Sequence, residues 1–172
     1  MTTKVCILQE KTDLENKMKN VNKIASFTVD HDLLSEGIYV SRIDGDITTY
    51  DLRTRVPNSD DYMDNLTMHS VEHMIATYVR SSRIGDRVIY FGPMGCQTGF
   101  YLLVRNADNK KVLDVVIKTL ENIIAHDGAM FGESEIECGN YRSLSVEAAR
   151  LEAKAYLLSL RSSDNTFEYP TK

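Results

Sequence analysis

His69, Glu72 and His73, within the pentad HSVEH, are spaced to do metal chemistry if they lie on a helix. Residues four apart sit one turn above each other on one helical face, and a residue three on from the first is their neighbour. Two imidazoles so placed can chelate a divalent cation, and the adjacent carboxylate can move protons there. The chain holds four histidines, so half of them fall in this pentad. A solvated helix face carrying two histidines by chance reads equally well from the pentad alone. A third ligand would decide. Cys138, in ECGNY, sits in a glycine-containing connector where a turn can present a thiolate. Two histidines and one cysteine leave a position open for water or substrate, which is a catalytic arrangement.

Cys96 lies in GPMGCQTGF, between two candidate strands. Proline and glycine there make a tight exposed turn, suited to a side chain that projects into a site. Filling space in a core is the commoner fate of a free cysteine. A thiol beside a divalent cation is acidified and can carry protons. Arg53, in YDLRTR, is either an anchor for an anionic or polyhydroxylated ligand or a strand-edge arginine in water. His31, closing SFTVDH, stands at a strand end, where a lone histidine is more often simply hydrogen-bonded. Cys6, in a polar N-terminal arm, has no such context and reads as incidental.

These side chains need elements to hold them. Residues 1–24 are polar, with Leu14, Met18 and Val21 at helical spacing, and read as an N-terminal arm or short helix; residues 25–172 read as a single catalytic domain. ASFTVDH, EGIYVSRI and DITTYDLRTRV are rich in β-branched and aromatic residues, broken by Gly37 and by Asp44 to Asp46, and predict three strands. A helix capped by Asn65 or Thr67 runs to about Arg80, with Leu66, Val71, Ile75, Tyr78 and Val79 as its buried stripe. RVIYFG and TGFYLLVR predict two further strands. Residues 108–126 form an amphipathic helix on Val112, Val115, Val116, Leu120 and Ile123. A last helix runs from Ser145 to Ser162, followed by a loose tail. The pattern predicts an α+β layer sandwich, an antiparallel sheet packed against helices.

The 172 residues suffice for a core without staples, and 42% hydrophobic with 26% charged residues is ordinary for a globular protein. A net charge of -5 without basic runs argues against nucleic acid as the partner. No apolar run is long enough to span a membrane, and the N-terminus lacks the apolar core of a secretion signal. Three cysteines are an odd number for a disulfide scaffold, so free thiols in the cytoplasm are expected.

Taken together, SFTVDH, YDLR, HSVEH, PMGCQTGFYL and CGNYR, in that order and spacing, resemble the S-ribosylhomocysteine lyase (LuxS) family of autoinducer-2 synthesis, from about Ser26 to Arg150. The resemblance implies a homodimer with active sites at the subunit interface. It implies that His69, His73 and Cys138 hold iron(II), with zinc or cobalt accepted, and that Cys96 and Glu72 are the acid–base residues. It also implies that Ser26, His31 and Arg53 reach the sugar of S-ribosylhomocysteine from the partner subunit. The reaction implied is cleavage of that thioether to homocysteine and 4,5-dihydroxy-2,3-pentanedione, the precursor of a quorum-sensing signal. The chain departs from the family in having Tyr90 and Gly92 where an acidic residue and Ser are common. It also has EIECGN for EKQCGN, HS for HT at the head of the pentad, and an N-terminal arm that precedes the family's usual start. Two other readings compete. H-x-x-E-H is also the signature of inverted-zincin metallopeptidases, which would leave Cys96 without a role. A non-enzymatic metal-binding dimer would leave the acid–base pair without one.

Overall fold

The computed structural model describes residues 24–172; the expected N-terminal arm and Cys6 lie outside them. Four strands form one antiparallel sheet: β1 (Gly37–Asp44), β2 (Ile47–Arg53), β3 (Val88–Pro93) and β4 (Gly99–Arg105), in the spatial order β1-β2-β4-β3. Three helices accompany it: α1 (Asn65–Arg80), α2 (Asn109–Ile124) and α3 (Val146–Ser162). Among the described residues no helix is long and apolar enough to cross a membrane.

Alternation along the strands turns Ile38, Tyr50, Leu52, Phe100, Leu102 and Val104 toward the helices. There they meet Val71, Met74, Ile75 and Val79 of α1, Val112, Val115, Val116, Leu120 and Ile123 of α2, and Ala149, Ala153, Tyr156, Leu157 and Leu160 of α3. The expected stripe of α2 is buried as read. On α1, Leu66 is exposed and Met74 and Ser70 are buried instead. The opposite sheet face carries Tyr39, Asp51 and Tyr101 in cross-strand register. Arg53 on that face pairs with Gly37 on one side and Gly99 on the other, so neither neighbour fills the space its guanidinium needs.

Two sequence expectations fail, one near each end of the described residues. ASFTVDH is not a strand: Ala25–Phe27 is a short 3-10 turn, and the chain then loops to Gly37. The C-terminal tail is not loose, and lies against the outer edge of β1. Phe167 accepts a hydrogen bond from the Val40 amide (2.8 Å), bridges Tyr39 and sets its ring edge-on to Tyr50. β-Propensity is a fit to a pleated surface, and ASFTVDH, which pairs with no strand of the sheet, does not express it.

Each helix begins on a side chain that takes up an orphan N–H. Asp64, one residue earlier than expected, accepts from Thr67 N (2.6 Å), Asp108 from Lys111 N (3.0 Å), and Ser145 from Ala148 N (3.2 Å). The amide donors of Thr67 and Lys111 hold the Asp64 and Asp108 carboxyls below their ordinary pKa of 3.8. A carboxylate depressed on folding stabilises fully above the ordinary value, and that contribution is lost as pH falls through the folded one. Wild type is therefore expected to exceed the Asp64→Asn/Asp108→Asn double variant in urea midpoint at pH 7, since Asn caps without charge. Titration below pH 3.8 should close the gap; a gap independent of pH would show that the charge is idle.

Candidate active site

Helix α1 sets His69, Glu72 and His73 half-buried at the margin of its buried stripe. Both imidazoles are oriented by backbone carbonyls. His69 Nδ1 lies 2.9 Å from Ser143 O and His73 Nδ1 lies 2.8 Å from Phe131 O. A carbonyl can only accept, so the proton of each neutral ring sits on Nδ1 and the lone pair is on Nε2. Cys138 Sγ stands 3.4 Å from His69 Nε2, and one ligand atom from each of the three residues fits within 4.8 Å of the others. Two nitrogens and a sulfur bound tetrahedrally at about 2.0–2.3 Å stand roughly 3.3–3.7 Å apart; the Cys138–His69 pair is already at that separation, and the donor types suit a divalent transition metal. The Asn140 amide donates to Cys138 Sγ at 3.4 Å and so helps to aim the sulfur. Carbonyl-anchored imidazoles are how metal sites fix ring direction in advance.

The anchors are themselves anchored. Ser70, inside the pentad and fully buried, donates to Leu66 O (2.6 Å) and accepts from Ser145 N (2.8 Å). That bond ties the start of α3 to α1 and so places the Ser143 carbonyl over His69. Gly132, beside the Phe131 carbonyl, has φ +71°, and a Cβ there would lie 2.9 Å from two atoms of the His73 ring. Only glycine combines that backbone with that closeness. Glu72 lines a cavity of about 290 Å³ with His73, Ala76, Thr77, Phe131, Gly132 and Glu137.

A second cluster forms around Arg53. Its guanidinium, 3% exposed, donates through Nη1 to Thr98 Oγ1 (2.5 Å), with Cys96 Sγ at 3.8 Å, and through Nη2 to Asp51 Oδ2 (2.6 Å). This is a buried, central-strand arginine, not one in water. Burial works against its charge, but Asp51 and then Cys96 outweigh that and hold the Arg53 pKa above its ordinary value. Burial pushes the Asp51 carboxyl up, and Arg53 and the Tyr169 hydroxyl pull it back. Cys96 is exposed at the tip of a tight turn closed by Gln97 N to Met94 O (3.0 Å) and Met94 N to Gly99 O (2.9 Å). Its thiol also meets Thr98 Oγ1 at 3.0 Å.

The structure thus groups His69, His73 and Cys138, and separately Arg53 and Cys96. No hydrogen bond, ion pair or ring contact among the described residues joins the two groups. His31 bonds the Val29 carbonyl (3.0 Å) and lies within electrostatic reach of Asp51. Ser26 lines a cavity of about 360 Å³ on the open sheet face, with Tyr90 and Tyr101 among its walls. Tyr90 lays its ring across Gly92, where a Cβ would stand 2.0 Å from the phenol oxygen, so the two departures from the family pattern accommodate each other. Sequence reasoning missed Ser70, Asp51, Gly132, Ser143, Phe131 and Tyr169. A glycine in a connector was a usable signal for Gly132; carbonyls such as Ser143 O leave none.

Comparison with known proteins covers the same stretch of the chain. The S-ribosylhomocysteinase (LuxS) family model matches residues 24–167. An S-ribosylhomocysteine lyase of Desulfotalea psychrophila is 41% identical over 162 residues, covering 88% of this chain and 100% of that protein. One of Borreliella afzelii is 37% identical over 157 residues, covering 87% and 100%. One of Finegoldia magna is 41% identical over 142 residues, covering 80% and 90%.

Gly132→Ala should push the His73 ring off its carbonyl and weaken zinc or cobalt binding by about 10–100-fold, the usual effect of disturbing a ligand's support. Competition against a chromophoric chelator measures this, and unchanged affinity would show that the ring has room to move.

Proposed function

The chain belongs to the S-ribosylhomocysteinase (LuxS) family, and from that premise we propose that it cleaves S-ribosylhomocysteine to homocysteine and 4,5-dihydroxy-2,3-pentanedione. The observation that carries the reading is the convergence of His69, His73 and Cys138, with both Nδ1 atoms engaged by carbonyls so that Nε2 is the nitrogen each ring offers. Their donor types suit iron(II), zinc or cobalt, and iron(II) is the native ion on this reading.

The chemistry explains the parts. A thioether is inert unless a carbanion can form on the carbon next to the one bearing sulfur. The sugar's carbonyl begins too far away and must migrate along the chain by enediolate isomerisations. Each isomerisation needs a base to take a proton, an acid to return it, and something to steady the developing oxyanion. The divalent ion, when bound, supplies that last need as a Lewis acid. Cys96 removes and returns protons during the aldose-to-ketose steps, with the Arg53 guanidinium 3.8 Å from its sulfur. Glu72, one turn from His69 on α1, takes the proton whose loss drives β-elimination of the homocysteine thiolate. Arg53, His31 and Ser26 hold the hydroxylated chain.

The separation of the two groups within one chain supports a homodimer in which each site is shared. His69, Glu72, His73 and Cys138 come from one subunit, and Arg53 with its neighbour Cys96 comes from the other. Free thiols at Cys96 and Cys138 suit the reducing cytoplasm. A metallopeptidase would use the metal group and leave the Arg53–Cys96 cluster idle.

Anaerobically purified, metal-loaded protein is expected to release one thiol per S-ribosylhomocysteine consumed, and to stop when the metal is chelated. Cys96→Ala and Glu72→Ala should each stay folded and metal-loaded while losing roughly 10²–10⁴-fold in rate; more than a tenth of wild-type activity would remove that residue from its role. Mixing Cys96→Ala with His73→Ala protein tests the sharing. Random exchange of subunits should restore about a quarter of wild-type activity, because half the dimers are mixed and each holds one intact site. No restoration after proven exchange would place each site within one chain.

A further inference from the structure

We propose that Tyr169, in the C-terminal tail, is a positioning residue for the Cys96 thiol, acting through Asp51 and Arg53. The inference rests on the reading of Cys96 as the proton carrier. Tyr169 lies two residues beyond the segment that matches the family, 24–167. Its ring stacks on Tyr39 with centroids 5.1 Å apart and planes at 21°. Its hydroxyl donates to Asp51 Oδ2 at 2.9 Å, the same oxygen that accepts from Arg53 Nη2 at 2.6 Å. The other end of that guanidinium meets Thr98 Oγ1 and Cys96 Sγ. The path from tail to thiol is therefore hydroxyl, carboxylate, guanidinium, sulfur.

The direction of the effect follows from sharing. Asp51 is 1% exposed and its Oδ1 has no partner among the described residues, so its charge is divided between Arg53 and Tyr169. Without the phenol, Arg53 alone answers that charge, and the guanidinium is drawn toward Asp51 and away from Cys96. Burial, then the Asp51 charge, hold the Tyr169 phenol far above its ordinary pKa, so it remains a donor throughout the working pH range. The other titratable groups around the cluster are His31 from the loop before β1, Tyr39 from β1, Tyr101 from β4 and buried Tyr156 from α3. The tail is also held independently of this hydroxyl, by Phe167 and by an ion pair from Lys172 to Asp30 (3.0 Å).

Tyr169→Phe keeps the ring and its stack and removes only the donor. Metal-loaded full-length protein would be treated with iodoacetamide across a pH series. Alkylation would be read on the peptide containing Cys96, so that Cys6 and Cys138 do not contribute. The variant is expected to react about threefold more slowly at pH 7, with its rate–pH curve displaced to higher pH and its metal content and melting temperature close to wild type. A curve superimposed on wild type, or displaced to lower pH, would overturn the proposal and leave Tyr169 as packing. The readout does not depend on turnover. A displaced curve in a protein that fails to cleave S-ribosylhomocysteine would sink the reaction and not this inference; normal cleavage with superimposed curves would sink this inference alone.

Discussion

One helix has to satisfy two demands at once, and the site depends on how α1 does it. Its buried stripe of Val71, Met74, Ile75 and Val79 must face the core, while His69, Glu72 and His73 must reach a place where a metal and a substrate can meet them. Standing at the margin of the stripe meets both. The rings are then half-buried, held by carbonyls at Nδ1, with His69 Nε2 turned to Cys138 Sγ. Any rotation of α1 that exposed them more would expose the stripe as well, so core packing enforces the direction of the donors.

The carbonyls that orient the rings come from the connector between α2 and α3, which has little regular structure. Its shape is secured by local bonds: Cys138 N to Ser134 O (3.0 Å), Ser143 N to Asn140 O (3.0 Å), and the Ser145 amide to buried Ser70. Position 70 is therefore more than a spacer between two histidines. It fastens the segment that carries Cys138 and the Ser143 carbonyl to the helix that carries His69 and His73.

The open face of the sheet solves a different problem. A buried Asp51–Arg53 pair is expensive to desolvate, and loss of either member strands the other at about 3–5 kcal/mol. Such a pair adds little net stability over apolar packing. Its use here is directional, since the guanidinium is gripped by Asp51 at one end and presents the other to Thr98 and Cys96. Flanking glycines leave the space, and the tail covers it. The edge of β1 taken by Phe167 thus closes the sheet and brings Tyr169 over Asp51.

Much of this was legible in the residues. The α+β class, the antiparallel sheet, three helices within a few residues of their ends and the His69, His73, Cys138 donor set all follow from periodicity, caps and spacing, or from motifs whose order along the chain is itself the signal. These are local properties, written in neighbouring side chains. What the sequence could not carry was the meeting of distant segments: that the tail, not ASFTVDH, lies against the outer edge of β1, and that Arg53 is buried between glycines of two other strands. Nor could it carry backbone acceptors, because the carbonyls of Phe131 and Ser143 are the same in every residue and acquire a role only when folding sets them against an imidazole. Side-chain chemistry was settled by sequence; which groups meet, and which way they point, was settled by the tertiary structure, because contact energies are realised only once the chain has closed on itself.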